Sequence, residues 1–367
     1  MYPKIFITPW ITLDKIDLDK LIISGANTAR INTGKLFDNH NKISELINYY
    51  YQRHFKFYLD LTGNKPRVLD IHHKNNRKCF FEIENEVIIS QPGSIDVPTS
   101  KNHNLISTYL PISLLNTKKS DLNVDDGNLT FEINKVYLKN HSINYIKTKV
   151  IKNIQNKVFI QDGISSSNVF IHTGYESILT DLDKNILKNI SKSDRNKIKY
   201  IVTSFTENFE QIQNAIIEIK NLGYKNFQIV PKIETIVGIS NIKRICSGLK
   251  TIYGKESEIQ IGRGDLSLDS TRGIKKINYN ALVDNAIIIS KKENVKISVL
   301  ALVLQSSRNK FKLNNNTKNL LPSKKDINNI LHLCKQKVYQ IGLTNDMYID
   351  KPERIVKILK DIITSSI

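Results

Sequence analysis

Cysteine is scarce in this chain and badly spaced for cross-links. Cys79, Cys246 and Cys334 lie far apart and form no C-x-x-C pair, which argues against a disulfide framework or a zinc site. Histidine offers no metal pattern either: none of the eight has ligand spacing, and His72-His73 sits in the polar run DIHHKNNRK, read as an exposed loop. No apolar run approaches the ~20 residues of a membrane helix, so no membrane association is expected. The opening MYPKIFITPW enters a strand-like segment without the basic-then-apolar build of a secretion signal, and a cytoplasmic location is expected. Acidic residues are also short: 35 Asp and Glu against 54 Lys and Arg leave a net charge of +19. The cations are spread through an Asn- and Ile-rich background rather than gathered in one stripe. Nucleic acid is therefore not the expected partner, while a general positive field suits phosphorylated small molecules.

What the chain does have is a recurrent short apolar segment. PKIFIT (3–8), TARIN (28–32), FKFYLDL (55–61), KYIVTSF (199–205), FQIVPKI (227–233), EIQIGRG (258–264), VKISVLAL (295–302) and VYQIGLT (338–344) read as strands. Helical segments such as NFEQIQNAIIEIKNLG, ending at Gly223, lie between many of them. Strand alternating with helix implies parallel strands joined by right-handed crossovers, and eight such units imply a closed (β/α)8 barrel. One interval breaks the rhythm. CFFEIENEVIIS, NLTFEINKVYL, KTKVIKNI and NKVFIQDG read as short alternating strands of a small antiparallel domain inserted after the third barrel strand. The expected division is residues 1–69 with 173–367 for the barrel, and 70–172 for a β-barrel-like insert able to act as a lid.

Barrel chemistry sits at the carboxyl ends of the strands. Those ends supply Arg30, Asn32, Asp60, Ser204, Lys232, Glu234, Gly264 and Asp265, with Arg67 just after the third strand. In PKIE, strand alternation puts Lys232 and Glu234 on one face. Two readings stay open at this level. The charged set is a rim of ion pairs, or it is a phosphate-and-metal site. In the second reading Glu234 and Asp265 share a magnesium ion, Lys232 neutralises a phosphoryl group, and N–H groups near Gly264 receive a carboxylate.

The chain resembles the pyruvate kinase family over nearly its whole length. PKIETIVGI is similar to K-[IV]-E-N-x-x-G, IGRGDLSLD to A-R-G-D-L-G-x-E, and NTARINTGK to N-x-A-R-x-N-x-S-H. DLTGNKPRV is similar to D-L-x-G-P-K-x-R-V, VDDGNLTFEI to the V-D-D-G segment of the family's inserted domain, and LTDLDKNIL to the L-T-x-K-D that follows. The resemblance implies Mg2+-dependent phosphoryl transfer between phosphoenolpyruvate and ADP, giving pyruvate and ATP, with Mn2+ able to replace Mg2+. It makes Lys232 and Arg30 the catalytic cations and Glu234 and Asp265 the metal ligands. Gly264, Asp265 and Lys232 bind the substrate. Arg30, Arg67 and Asn32 lie toward the nucleotide, with Asn32 and Asp60 in the family's monovalent-cation region.

The chain also departs from the family pattern. The potassium ligands Ser and Thr become Gly34 and Leu61, and a family Glu becomes Lys65. With Val68, these resemble the potassium-independent branch, where a fixed ammonium replaces the ion. LALVLQS stands for A-T-Q-M-L-E-S, so Ala301 and Leu302 replace a threonine and a glutamine, and Leu343 replaces a serine of the proton relay. SFTE stands for S-F-V-R and PSKKD for P-T-R-A-E. The family's C-terminal domain has no counterpart after KPERIVKILKDIITSSI. No sugar-phosphate effector site is therefore expected, and a monomer or barrel-mediated dimer is. A magnesium-enolate lyase, aldolase or transferase on the same barrel, or a non-catalytic paralogue, are the alternatives.

Overall fold

The computed structural model describes residues 2–9, 15–36, 39–63, 68–72, 79–90, 94, 96–98, 104–108, 121–124, 129–139, 142–153, 158–160, 177–270, 278–300, 322–343 and 352–365. The chain divides into two compact units, Met1–Gly63 with Ser177–Ile367, and Asn64–Glu176.

The first unit is a closed ring of eight parallel strands. They are β1 (Lys4–Ile7), β2 (Thr28–Asn32), β3 (Lys56–Asp60), β4 (Tyr200–Thr203), β5 (Gln228–Ile233), β6 (Glu258–Gly262), β7 (Lys296–Leu300) and β8 (Gln340–Gly342). All eight coincide with sequence segments read as strands, and β1 closes the ring against β8 with Lys4 opposite Gln340. A helix follows each strand: Lys15–Ile23, His40–Gln52, Asp181–Asn189, Phe209–Asn221, Ile242–Tyr253, Tyr279–Lys292, Lys324–Lys335 and Pro352–Thr364. Local chemistry sets their ends. Phe209–Asn221 starts at a capping box between Asn208 and Gln211. It stops where Gly223 takes φ +89°, a conformation that favours glycine.

Alternation decides what each strand offers. Ile201, Ile229, Ile233, Ile259, Ile261, Ile297 and Val299 face outward and join the large core beneath the helices. Phe6, Tyr58, Val202, Val230 and Leu300 face inward and fill the middle of the barrel. Below them Tyr58 donates to Glu258 (2.7 Å), Gln340 Nε2 donates to Tyr58 (3.1 Å), and Ser298 donates to Glu258 (3.1 Å). Lys56 Nζ neutralises Glu258 at 2.9 Å. The interior is thus a filled core with a polar lower end, not a channel.

The second unit holds a six-stranded sheet in the order Val68–His72, Asn104–Thr108, Glu86–Ser90, Ser142–Asn153, Leu129–Lys139, Asp121–Val124, and a separate pair, Cys79–Phe81 with Val158–Ile160. Pairing is antiparallel except between Glu86–Ser90 and Asn104–Thr108, which run parallel. His72 ends a strand instead of lying in a loop, and His73 falls outside the described residues.

Among the described residues no helix is long and apolar enough to cross a membrane. Burial pushes the Cys246 thiol up to about 12, which leaves it unreactive.

Candidate active site

Four charged side chains carried by three strands gather at the carboxyl end of the barrel. Asp60 is the last residue of β3 and is buried. Lys232, the fifth residue of β5, places Nζ 3.2 Å from each of its carboxylate oxygens. Arg30, from the inward face of β2, pairs with Asp60 Oδ2 through both Nε and an Nη. Glu234 lies one residue beyond β5, with Oε1 3.7 Å from Lys232 Nζ. Lys232 and Glu234 therefore do share a face, but the closer partner of the lysine is the aspartate. Burial raises the Asp60 pKa, but the charges of Arg30 and Lys232 outweigh it and hold the carboxyl below the ordinary range.

The backbone supports this cluster at several points. Phe205, just after β4, adopts φ +57°, sparsely populated for a bulky residue, and donates its N–H to Glu234 Oε2 at 3.2 Å. The Cβ that Gly262 lacks would stand 2.5 Å from Glu234 Oε1 and 2.6 Å from its Cγ, so the Glu234 side chain rests directly on β6. The helix Arg263–Ser270 begins immediately after β6. Gly264 and Asp265 thus lie in its first turn rather than ending a strand, and Asp265 is buried. Thr235 caps the short helix Ile236–Ser240 and donates to Glu207 at 2.9 Å, while Asp269 accepts from Ile236 N–H at 2.7 Å.

The loop after β3 is held from a distance. Thr62 and Gly63 donate backbone N–H groups to the two oxygens of Asp183, at 2.8 and 3.0 Å. Asp183 also closes a capping box with Thr180. Burial raises its pKa above the usual carboxylate value, against the pull of these hydrogen bonds. Gly63 takes φ +62°, and a Cβ there would meet Ser204 O at 2.7 Å.

Glu234 and Asp265 offer hard oxygen donors on adjoining elements. Among the described residues no group of three or more His, Cys, Asp or Glu is arranged as a metal cage. That donor set fits Mg2+, which takes one or two carboxylates and draws its other ligands from water and substrate oxygens.

A family model for the pyruvate kinase barrel domain matches residues 7–309. The chain belongs to the pyruvate kinase family. No curated protein sequence matches it. The pyruvate kinase motifs fall where the geometry is concentrated: PKIE carries Lys232 and Glu234, the R-G-D-L run opens the helix after β6, and LTDLD supplies Asp183. Asn32 ends β2, Gly34 is buried in the 3-10 turn that follows it, and Leu61, next in sequence after Asp60, is buried. Leu343, just past β8, is buried and apolar. Lys65, Arg67, Ala301 and Leu302 lie outside the described residues, as do Asp125, Asp126 and Gly127 of the V-D-D-G segment, whose Val124 ends a strand.

Some residues of this pyruvate kinase relative were not singled out from sequence. Asp183, Phe205 and Gln260 gave no isolated signal, although the Thr180-x-x-Asp183 spacing is that of a helix cap. In the sequence Arg263 stands out only as part of the R-G-D-L run. It is deeply buried, burial lowers its pKa to about 10, and it donates to Asn329 Oδ1 at 3.0 Å.

Proposed function

We propose that this chain is a Mg2+-dependent phosphotransferase working between phosphoenolpyruvate and ADP. The observation that carries this reading is the placement of Lys232 between Asp60 and Glu234, buried, at the catalytic end of the barrel. In phosphoryl transfer the protein mainly positions charge. Lys232 would turn its ammonium from Asp60 to the transferring group, and Arg30 would hold a phosphate oxygen from the opposite side of Asp60. Glu234 and Asp265 would hold Mg2+, which supplies electrostatic stabilisation to the phosphoryl oxygens. N–H groups of the first turn of Arg263–Ser270, at Gly264 and Asp265, suit the substrate carboxylate. Asn32, Arg30 and Arg67 are assigned to the nucleotide side and Lys65 to the place of a monovalent cation. A monomer or barrel-mediated dimer is the proposed assembly, and the cytoplasm the proposed location.

One observation favours a second reading. Leu343 puts a buried apolar side chain where the family's proton relay has a serine. A site without that hydroxyl suits an enzyme that uses the enolate in another way, such as a lyase, aldolase or transferase.

Coupled detection of pyruvate from phosphoenolpyruvate and ADP separates the two. Turnover that disappears in Lys232→Met supports the phosphotransferase. Mg2+-dependent oxalate binding with no turnover favours the second reading.

A further inference from the structure

Gln260, in the middle of β6, is fully buried, and neither its Oε1 nor its Nε2 has a hydrogen-bond partner. Its strand neighbours fix its direction. Gln260 is in register with Lys232 on β5 and with Ser298 on β7, and parallel partners point to the same side of a sheet. Lys232 reaches Asp60 across the barrel interior, and Ser298 reaches Glu258 and Gln340 there. Gln260 therefore points into the barrel, between the polar lower end and the charged cluster above.

The nearest inward group past Gln260 toward the site is a side chain rather than backbone. The next inward position on β6 is Gly262, and Glu234 occupies the space a side chain there would fill. Glu234 and Lys232 are the two groups that a metal and a phosphoryl group would draw away. Their departure exposes a primary amide, which is donor and acceptor at once. A buried polar group left unpaired calls for an explanation in function, and a site built to hydrogen-bond a substrate group discriminates strongly against analogues that lack it.

We propose that Gln260 is a specificity-determining residue that reads a hydrogen-bonding substituent on the substrate carbon directed into the barrel. This rests on the phosphoenolpyruvate-type reading of the site and narrows it. The favoured ligands are 2-oxo acids, and the matching enol phosphates, that carry a hydroxyl or comparable polar group on the third carbon.

The test is calorimetric titration of the full chain, with Mg2+ present, using oxalate, pyruvate and 3-hydroxypyruvate as probes, on wild type, Gln260→Met and Gln260→Leu. Wild type is expected to bind 3-hydroxypyruvate about tenfold or more tighter than pyruvate. Both variants are expected to lose that preference and to bind oxalate, which has no third carbon, as wild type does. Oxalate binding with no preference in wild type, or a preference that survives in both variants, overturns the role of Gln260 and leaves the site reading intact. Failure of wild type to bind oxalate overturns both. Thermal melts provide a second readout: variants that remove an unpartnered amide melt at or above the wild-type temperature. A clear fall in both would mean that the amide is satisfied within the protein, and would also sink the proposal.

Discussion

Lys232 Nζ is equidistant, at 3.2 Å, from the two carboxylate oxygens of Asp60, closer than its 3.7 Å approach to Glu234. A lysine so held has its resting position set before any ligand arrives, a short turn from the proposed phosphoryl site. Lys232→Met is expected to lower phosphoryl-transfer turnover by about 10²–10³-fold, the usual effect of removing one preorganised electrostatic group. A steady-state pyruvate assay measures it; turnover within a few-fold of wild type would show that the ammonium is not at the reacting phosphoryl group.

Asp60→Asn leaves Lys232 buried with its main counter-charge gone, which costs about 3 kcal/mol of stability. The pH dependence has a definite sign. The folded pKa of Asp60 lies below its unfolded value, so its contribution is full above an unfolded pKa of about 3.9 and is lost as pH falls through the folded value. Urea titrations of both proteins should give a constant gap at neutral pH that narrows only below about pH 4.

Asp183 titrates in the opposite sense. Its folded pKa is raised, so the proton-bound form is favoured in the folded state. Its contribution is greatest below an unfolded pKa of about 3.9 and declines as pH rises through the folded value. Asp183→Asn loses one of two acceptor oxygens and is expected to destabilise by about 1–3 kcal/mol. That deficit should shrink as pH is raised from about 4, and a deficit growing with pH would contradict the assignment.

Two glycines near the site should respond differently to alanine. At Gly63 both the positive φ and the backbone oxygen of Ser204 oppose a Cβ, and Gly63→Ala should cost about 2 kcal/mol or more. At Gly262 the obstacle is the Glu234 side chain from Cγ outward, which can rotate away where backbone cannot. Gly262→Ala should leave the melting temperature nearly unchanged while pushing the carboxylate off β6. The expected readout is tighter Mg2+ binding by titration, since the carboxylate is released from its resting place beside Lys232.

Potassium should be dispensable. Asp60, which the proposed reading assigns to a monovalent-cation region, is already neutralised within this chain by Arg30 and Lys232, and Lys65 adds a further cation to the sequence nearby. Replacing sodium by potassium should leave turnover unchanged; marked potassium activation would refute this.

The barrel was legible because each strand is a short apolar run whose polar residues cluster at one end. The same alternation misleads within EIQIG. A period of two there suggests a strand with a wet face, yet both faces are buried: Ile259 and Ile261 pack under helices while Glu258 and Gln260 fill the interior. Ring closure makes an inward polar residue a buried one, and no local pattern records closure. The sequence pattern also carries β6 through Arg263 and Gly264, whereas the helix already begins at Arg263. Asp183 escaped notice as a support for the β3 loop because it acts on a residue 120 positions away.

That same aspartate gives the barrel a seam. Gly63, where the barrel chain departs into the second unit, and Thr180, soon after it returns, are bound to one side chain. The exit and re-entry points are therefore joined by contacts belonging wholly to the barrel. A short bridge in place of residues 64–176 is expected to preserve the register of β3 and β4, which a far-UV circular dichroism melt of such a variant would check. In this family member Asp183 ties together the two points at which the barrel chain is interrupted.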